Sequence, residues 1–175
     1  MKMFLDIECT NISADIGQIV AIGIIKEGKK EVKFVESLEK ENEVLNWFKK
    51  ELENCGLIIT WYGSKFDIPF ILTRAVINNI DLSKLLKIPS LDLCEFCKRN
   101  FLFTKNSLSE VSKSLDIPKD KEIGGKDVLS LYIKAIGGDK RAKEKIVKHC
   151  LDDLEALEKI FKKLEPYLSL TTKNP

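Results

Sequence analysis

Four acidic residues fall in three short blocks of this sequence. Asp6 and Glu8 lie in Phe4-Leu5-Asp6-Ile7-Glu8-Cys9-Thr10, Asp67 closes Tyr62-Gly63-Ser64-Lys65-Phe66-Asp67, and Asp153 closes His149-Cys150-Leu151-Asp152-Asp153. Converging carboxylates hold hard divalent cations, and a pair of such cations is a common device for cutting a phosphodiester bond. Asp6 and Glu8 are two apart at the end of a strand-like run, so both side chains project from one face. Each block alone has a plainer explanation. An Asp-x-Glu pair is usually a solvated strand end, an Asp before a helix is a preferred N-cap, and Asp153 is an ordinary helix carboxylate. The combination is more specific, because the first pair sits in an apolar segment and Asp153 sits beside an apolar helical stripe. His149, the only histidine, lies one helical turn before Asp153 on the same face. Imidazole titrates near neutrality and can accept a proton from an attacking water; a partly exposed helix residue is its plainer reading.

The elements that must position these residues are legible from periodicity. Met3 to Ile7 reads as an opening strand, and Gln18 to Lys26 as an apolar, β-branched central strand. Glu27-Gly28-Lys29-Lys30 is a turn signal, and Glu31 to Glu36 alternates as the return strand of a hairpin. Asn42 to Asn54 changes to helical spacing, with Val44, Leu45, Phe48 and Leu52 on one face. Leu57 to Trp61 is a short strand, Asp67 to Asn79 a helix that tolerates Pro69 in its first turn, and Ser90 to Leu93 a fifth strand. Helices follow at Leu108 to Leu115 (capped by Ser107), Asp127 to Ile136 (stopped by Gly137-Gly138) and Lys140 to Leu164. The fold class is therefore α/β: a mixed five-stranded sheet, hairpin-rich in its first half and parallel afterwards, flanked by helices. One domain spans 1–168, with 169–175 a loose C-terminal tail.

Composition narrows the setting. A chain of 175 residues fits one domain, and a net charge of +2 does not by itself diagnose nucleic-acid binding. No apolar run reaches membrane-spanning length and the start lacks a signal layout, so a cytoplasmic protein with no membrane partner is expected. Five scattered cysteines read as free thiols. Cys94-Glu95-Phe96-Cys97 has half the spacing of a zinc site, which Cys150 or His149 would have to complete; buried thiols are the expected outcome. Lys113, Lys119, Lys121 and Lys126 flank a loop at Asp116 to Gly125, where they either hold phosphates or are merely solvated. Gly124-Gly125 reads as a hinge or turn. Trp61, Tyr62, Phe66 and Phe70 surround Asp67; they either stack on unpaired bases or pack in the core.

These blocks resemble the DEDD-type 3′–5′ exonucleases of the ribonuclease H-like fold. The similarity is greatest to the proofreading exonuclease domain of family B DNA polymerases and to related stand-alone proteins. Phe4 to Glu8 resembles the first motif, Gly63-Ser64-Lys65-Phe66-Asp67-Ile68-Pro69-Phe70 the second, and His149-x-x-x-Asp153 the third. Asn106 to Val111 resembles the stretch preceding the third motif. The resemblance implies that Asp6, Glu8, Asp67 and Asp153 bind two Mg²⁺ or Mn²⁺ ions, and that His149 serves the attacking water. It implies substrate contacts at Ile7, Cys9, Thr10, Tyr62 and Phe66, and release of nucleoside 5′-monophosphates from single-stranded DNA or RNA. A polymerase or helicase is the implied kind of protein partner. Two positions depart from the pattern. His149 stands at the spacing where the polymerase type carries Tyr, and Tyr62 stands where Asn is common. A non-catalytic module that binds nucleic acid or a partner is the alternative reading.

Overall fold

In the computed structural model, which describes residues 1–118 and 123–168, five strands form one mixed sheet in the order β3-β2-β1-β4-β5. They are β1 (Lys2–Cys9), β2 (Ile19–Lys26), β3 (Lys29–Phe34), β4 (Leu57–Thr60) and β5 (Ser90–Asp92). The first three are antiparallel, joined at β2–β3 by a two-residue turn in which Glu27 and Gly28 both take positive φ, 53° and 79°. That turn twists in the sense the flanking strands need. β4 and β5 run parallel to β1. β1 pairs with β4 only from Lys2 to Phe4, so its last residues extend past the shorter strand.

Among the described residues six α-helices cover the sheet: α1 (Glu41–Glu51), α2 (Asp67–Ile77), α3 (Leu93–Asn100), α4 (Leu108–Ser114), α5 (Gly125–Ile136) and α6 (Lys140–Leu168). Alternation along β1 divides the core. Met3, Leu5 and Ile7 pack with Leu45, Phe48, Phe70 and Tyr132 of α1, α2 and α5. Phe4 turns to the opposite face, with Leu93, Val111, Leu157 and Phe161 of α3, α4 and α6. Asp6 and Glu8 share Phe4's parity, so β1 aims both carboxylates at the α6 side.

The expected fold class is the observed one. Several boundaries move. Asn54, at φ 62°, lies beyond α1, which ends at Glu51 rather than at Asn54. The fifth strand stops at Asp92, whose side chain caps α3, a helix the periodicity does not reveal. Gly124-Gly125 is not a hinge but the start of α5, with Asp127 Oδ2 accepting the Gly124 N–H at 2.9 Å. α6 continues beyond Leu164 through Pro166 to Leu168. The 169–175 tail and Lys119 and Lys121 lie outside the described residues. Among the described residues no helix is long and apolar enough to cross a membrane.

Candidate active site

The extension of β1 past β4 leaves the Ile7 N–H without a strand partner on that edge, and a buried N–H must find an acceptor. Asp67 Oδ1 accepts it at 3.1 Å. Asp67 is therefore not the cap of its own helix. Phe66 holds the N-cap position of α2, and the Asp67 carboxylate crosses to β1 between Asp6 and Glu8.

α6 supplies the other half. Gly23 on β2 is the partner of Asp6, and a Cβ on Gly23 would lie 2.4 Å from Cys150 Sγ and 2.7 Å from Leu154 Cδ1. The missing side chain lets α6 lie close against the sheet. His149 then stands between two carboxylates, with Nδ1 3.6 Å from Asp153 Oδ1 and Nε2 3.8 Å from Glu8 Oε1. Cys150 Sγ and carboxylate oxygens of Asp6 and Glu8 all lie within 4.8 Å of one another. Asp152, next to Asp153, instead pairs with Lys148 at 3.0 Å.

Crowding of negative charge shows in the titration of the cluster. Asp6 is held well above the usual carboxylate range, first by burial and then by Asp153, Glu8 and Asp67. Its Oδ2 is buried without a hydrogen-bond partner. Asp67 is raised to about 7, chiefly by burial, although the Ile7 N–H pulls the other way; Asp92 and Asp153 add to the rise. An orphaned oxygen among buried, mutually repelling carboxylates fits a hard divalent cation, and a cation there would favour the ionised forms. Burial pushes the Cys150 thiol well up, which keeps it protonated and unreactive.

A cavity of about 450 Å³ opens beside Glu8. Ile7, Cys9, Thr10 and Phe66 line it, and so do Lys126 and Leu129 of α5 on the facing wall. Burial raises the Cys9 thiol to about 12. Phe66 also packs on Phe70, with centroids 5.6 Å apart, so it serves the core as well as the cavity. Phe70 is buried, and half-buried Trp61 donates from Nε1 to the Asn106 carbonyl at 3.1 Å; both are structural. Tyr62 is not among the residues of the cavity wall and is partly exposed. Cys94 and Cys97 are buried free thiols and join no metal-competent group among the described residues.

Two contributors are invisible to motif reading. The α5 wall is one: the expected helix and Lys126, a candidate phosphate ligand, are legible, but nothing in the sequence turns them to this cavity. Asp92 is the other. Its carboxylate accepts from Tyr62 N (2.9 Å), Ser64 N (3.1 Å), Ser64 Oγ (2.6 Å), Cys94 N (3.0 Å) and Glu95 N (3.2 Å). An Asp just before a helix was the one available clue.

The sequence matches the RNase H superfamily over residues 3–165. No curated protein matches it. Among solved structures, it superposes on the family B DNA polymerase from the hyperthermophilic archaeon Pyrobaculum calidifontis, with a TM-score of 0.79 and 18% identity. The match covers 95% of this chain and 25% of the polymerase, so the chain spans about a quarter of that protein's length. At that identity the likeness is one of fold.

Proposed function

The chain belongs to the RNase H superfamily, and from that premise we propose that residues 1–168 form a 3′–5′ exonuclease domain. It removes nucleoside 5′-monophosphates from single-stranded DNA or RNA. The observation that carries this reading is the convergence of Asp6, Glu8, Asp67 and the His149–Asp153 pair beside a cavity of nucleotide size. Asp6, Glu8, Asp67 and Asp153 would hold two Mg²⁺ or Mn²⁺ ions. Such ions, when bound, neutralise the phosphate and stabilise the attacking and leaving oxygens.

The chain's own residues do the rest. His149 takes a proton from the attacking water, and the flanking Glu8 and Asp153 carboxylates stabilise the imidazolium that forms. The bond to the 3′ oxygen of the preceding nucleotide breaks, and the phosphate stays on the 5′ side of the released nucleoside. Ile7, Cys9, Thr10 and Phe66 enclose the terminal nucleotide and exclude water from it. Asp67 ties α2 to β1 and so keeps the carboxylates in register. As protein partner we propose a polymerase or helicase, the first in keeping with the polymerase of like fold.

The test is a degradation assay on single-stranded DNA and RNA labelled at the 5′ end, with Mn²⁺ or with EDTA. The expected result is a Mn²⁺-dependent ladder shortening from the 3′ end, absent in Asp6→Asn. His149→Ala should slow turnover by ~10²–10⁴-fold. Internal fragments would point to an endonuclease, and binding without cleavage to a non-catalytic module.

A further inference from the structure

We propose that α3 carries a second contact for the strand, in which Tyr62 stacks on a base and Lys98 holds a neighbouring phosphate. This contact rests on the exonuclease reading and says where the strand runs beyond the carboxylate cluster. Tyr62 has φ 63°, a left-handed conformation that a bulky residue keeps only when its surroundings impose it. The imposing group is Asp92, which accepts the N–H groups of Tyr62 and Ser64. Gly63 leaves the turn no slack, since a Cβ there would lie 2.4 Å from the Thr60 Cβ.

The same Asp92 caps α3 through the N–H groups of Cys94 and Glu95. One carboxylate thus fixes both the turn that presents Tyr62 and the helix that presents Lys98. Lys98 Nζ sits 4.6 Å over the Tyr62 ring, and that side chain is still 45% exposed. A strained, clamped aromatic held in solvent contributes nothing to either face of the core.

The chemistry of this surface fits a nucleic-acid strand. An aromatic face stacks on any base, and an ammonium group beside it complements a phosphate. Lys65 and Arg99, exposed neighbours in the turn and on α3, add positive charge. The turn leads into α2, whose first residue is Asp67, so the chain that presents Tyr62 also delivers a carboxylate to the cluster. Because Tyr62 is not part of the cavity wall, the contact takes a nucleotide inside the strand rather than its end. Lys98 also donates to Glu95 Oε1 at 2.8 Å, so a phosphate competes with Glu95 for the ammonium.

That competition makes the test two-sided. Binding of a labelled oligothymidylate is followed by fluorescence anisotropy, with Ca²⁺ replacing Mg²⁺, over a range of salt. Tyr62→Ala should weaken binding by roughly 5- to 150-fold, and Tyr62→Phe should restore most of it. Lys98→Gln should weaken binding and lower the salt slope by about one. Glu95→Gln should tighten binding, a gain that loss of folding cannot mimic. Wild-type protein that binds while all four variants match it would overturn the contact and leave the exonuclease reading standing. Wild-type protein that neither binds nor cleaves would overturn that reading, and the contact with it.

Discussion

Replacing Gly23 by alanine places a methyl group where α6 leans on the sheet. The new Cβ would meet Cys150 Sγ at 2.4 Å and Leu154 Cδ1 at 2.7 Å. Comfortable carbon contacts begin near 3.5 Å, so α6 must retreat by about 1 Å or its side chains must leave their rotamers. Overpacking of this kind costs about 1–3 kcal/mol, which in a chain of this size lowers Tm by roughly 2–12 °C. The helix that retreats also carries His149 and Asp153, while Asp6 and Glu8 stay on β1. A misplacement of about 1 Å can lower turnover by ~10²-fold, more than the stability loss alone would do. Circular dichroism melts and single-turnover cleavage measure the two effects. Cys150→Ala supplies the control, because it vacates the space of the sulfur, and the Leu154 methyl can rotate away. The double variant should recover about 1 kcal/mol or more relative to the sum of the single losses. Wild-type Tm and turnover in Gly23→Ala, or losses that simply add in the double variant, would refute Gly23 as the residue that sets the distance of α6.

The metal-free protein should lose stability as pH rises. Asp67 keeps its proton in the folded state up to about 7, whereas the unfolded chain releases it near 3.8; the protonated form therefore favours folding at low pH. That advantage fades as pH climbs through the folded value, by about 2–3 kcal/mol between pH 5 and 8. Melts in EDTA should show the decline, and Asp67→Asn should reduce it, with Asp6 supplying the remainder; a wild-type melt constant over that range contradicts the burial argument. Mn²⁺ or Mg²⁺ should raise Tm, and Asp6→Asn should abolish that rise while itself melting higher than wild type in EDTA. A metal-induced rise that survives Asp6→Asn would remove Asp6 from the ligand set. Glu41→Ala should cost about 3–5 kcal/mol in urea unfolding. It removes the carboxylate 2.7 Å from the largely buried Arg74 guanidinium, which keeps its bond to the Ala14 carbonyl, and it strands the Ile19 N–H. A loss under about 1 kcal/mol would show that water and the existing Ala14 bond suffice for the guanidinium.

Period and parity made much of this legible in advance. β1, β2, α2 and α6 are long or strongly patterned, and their hydrophobic faces admit one reading each. α3 was hidden because its eight residues follow a three-residue strand without a break, and the only signal for its start is the Asp92 cap. All four acidic residues and His149 stand out as blocks, and the family resemblance implies that they meet, but periodicity does not say how. Their meeting depends on Gly23, a residue with no chemistry of its own, and on the few residues by which β1 outruns β4. The N-cap reading of Asp67 failed for the same reason: the deciding partner, Ile7 N–H, is 60 positions away.

The site is thus assembled from two omissions, a strand partner that stops early and a side chain that is not there. The first creates an unpaired N–H, which draws a carboxylate into the interior; the second lets a helix bring its own acid up to the cluster. Neither Asp67 nor Asp6 gains enough inside to offset its lost hydration. The hydrogen bond from Ile7 favours ionised Asp67, but burial opposes it and wins, and Asp6 has no compensating donor on Oδ2. Removing charge from the cluster should therefore stabilise the metal-free fold, whereas a divalent cation stabilises it only while the charge remains. Opposite responses of Tm to the same Asp6→Asn change, with and without cation, are what separate a site kept for its ligand from acidic residues that merely share a sheet edge.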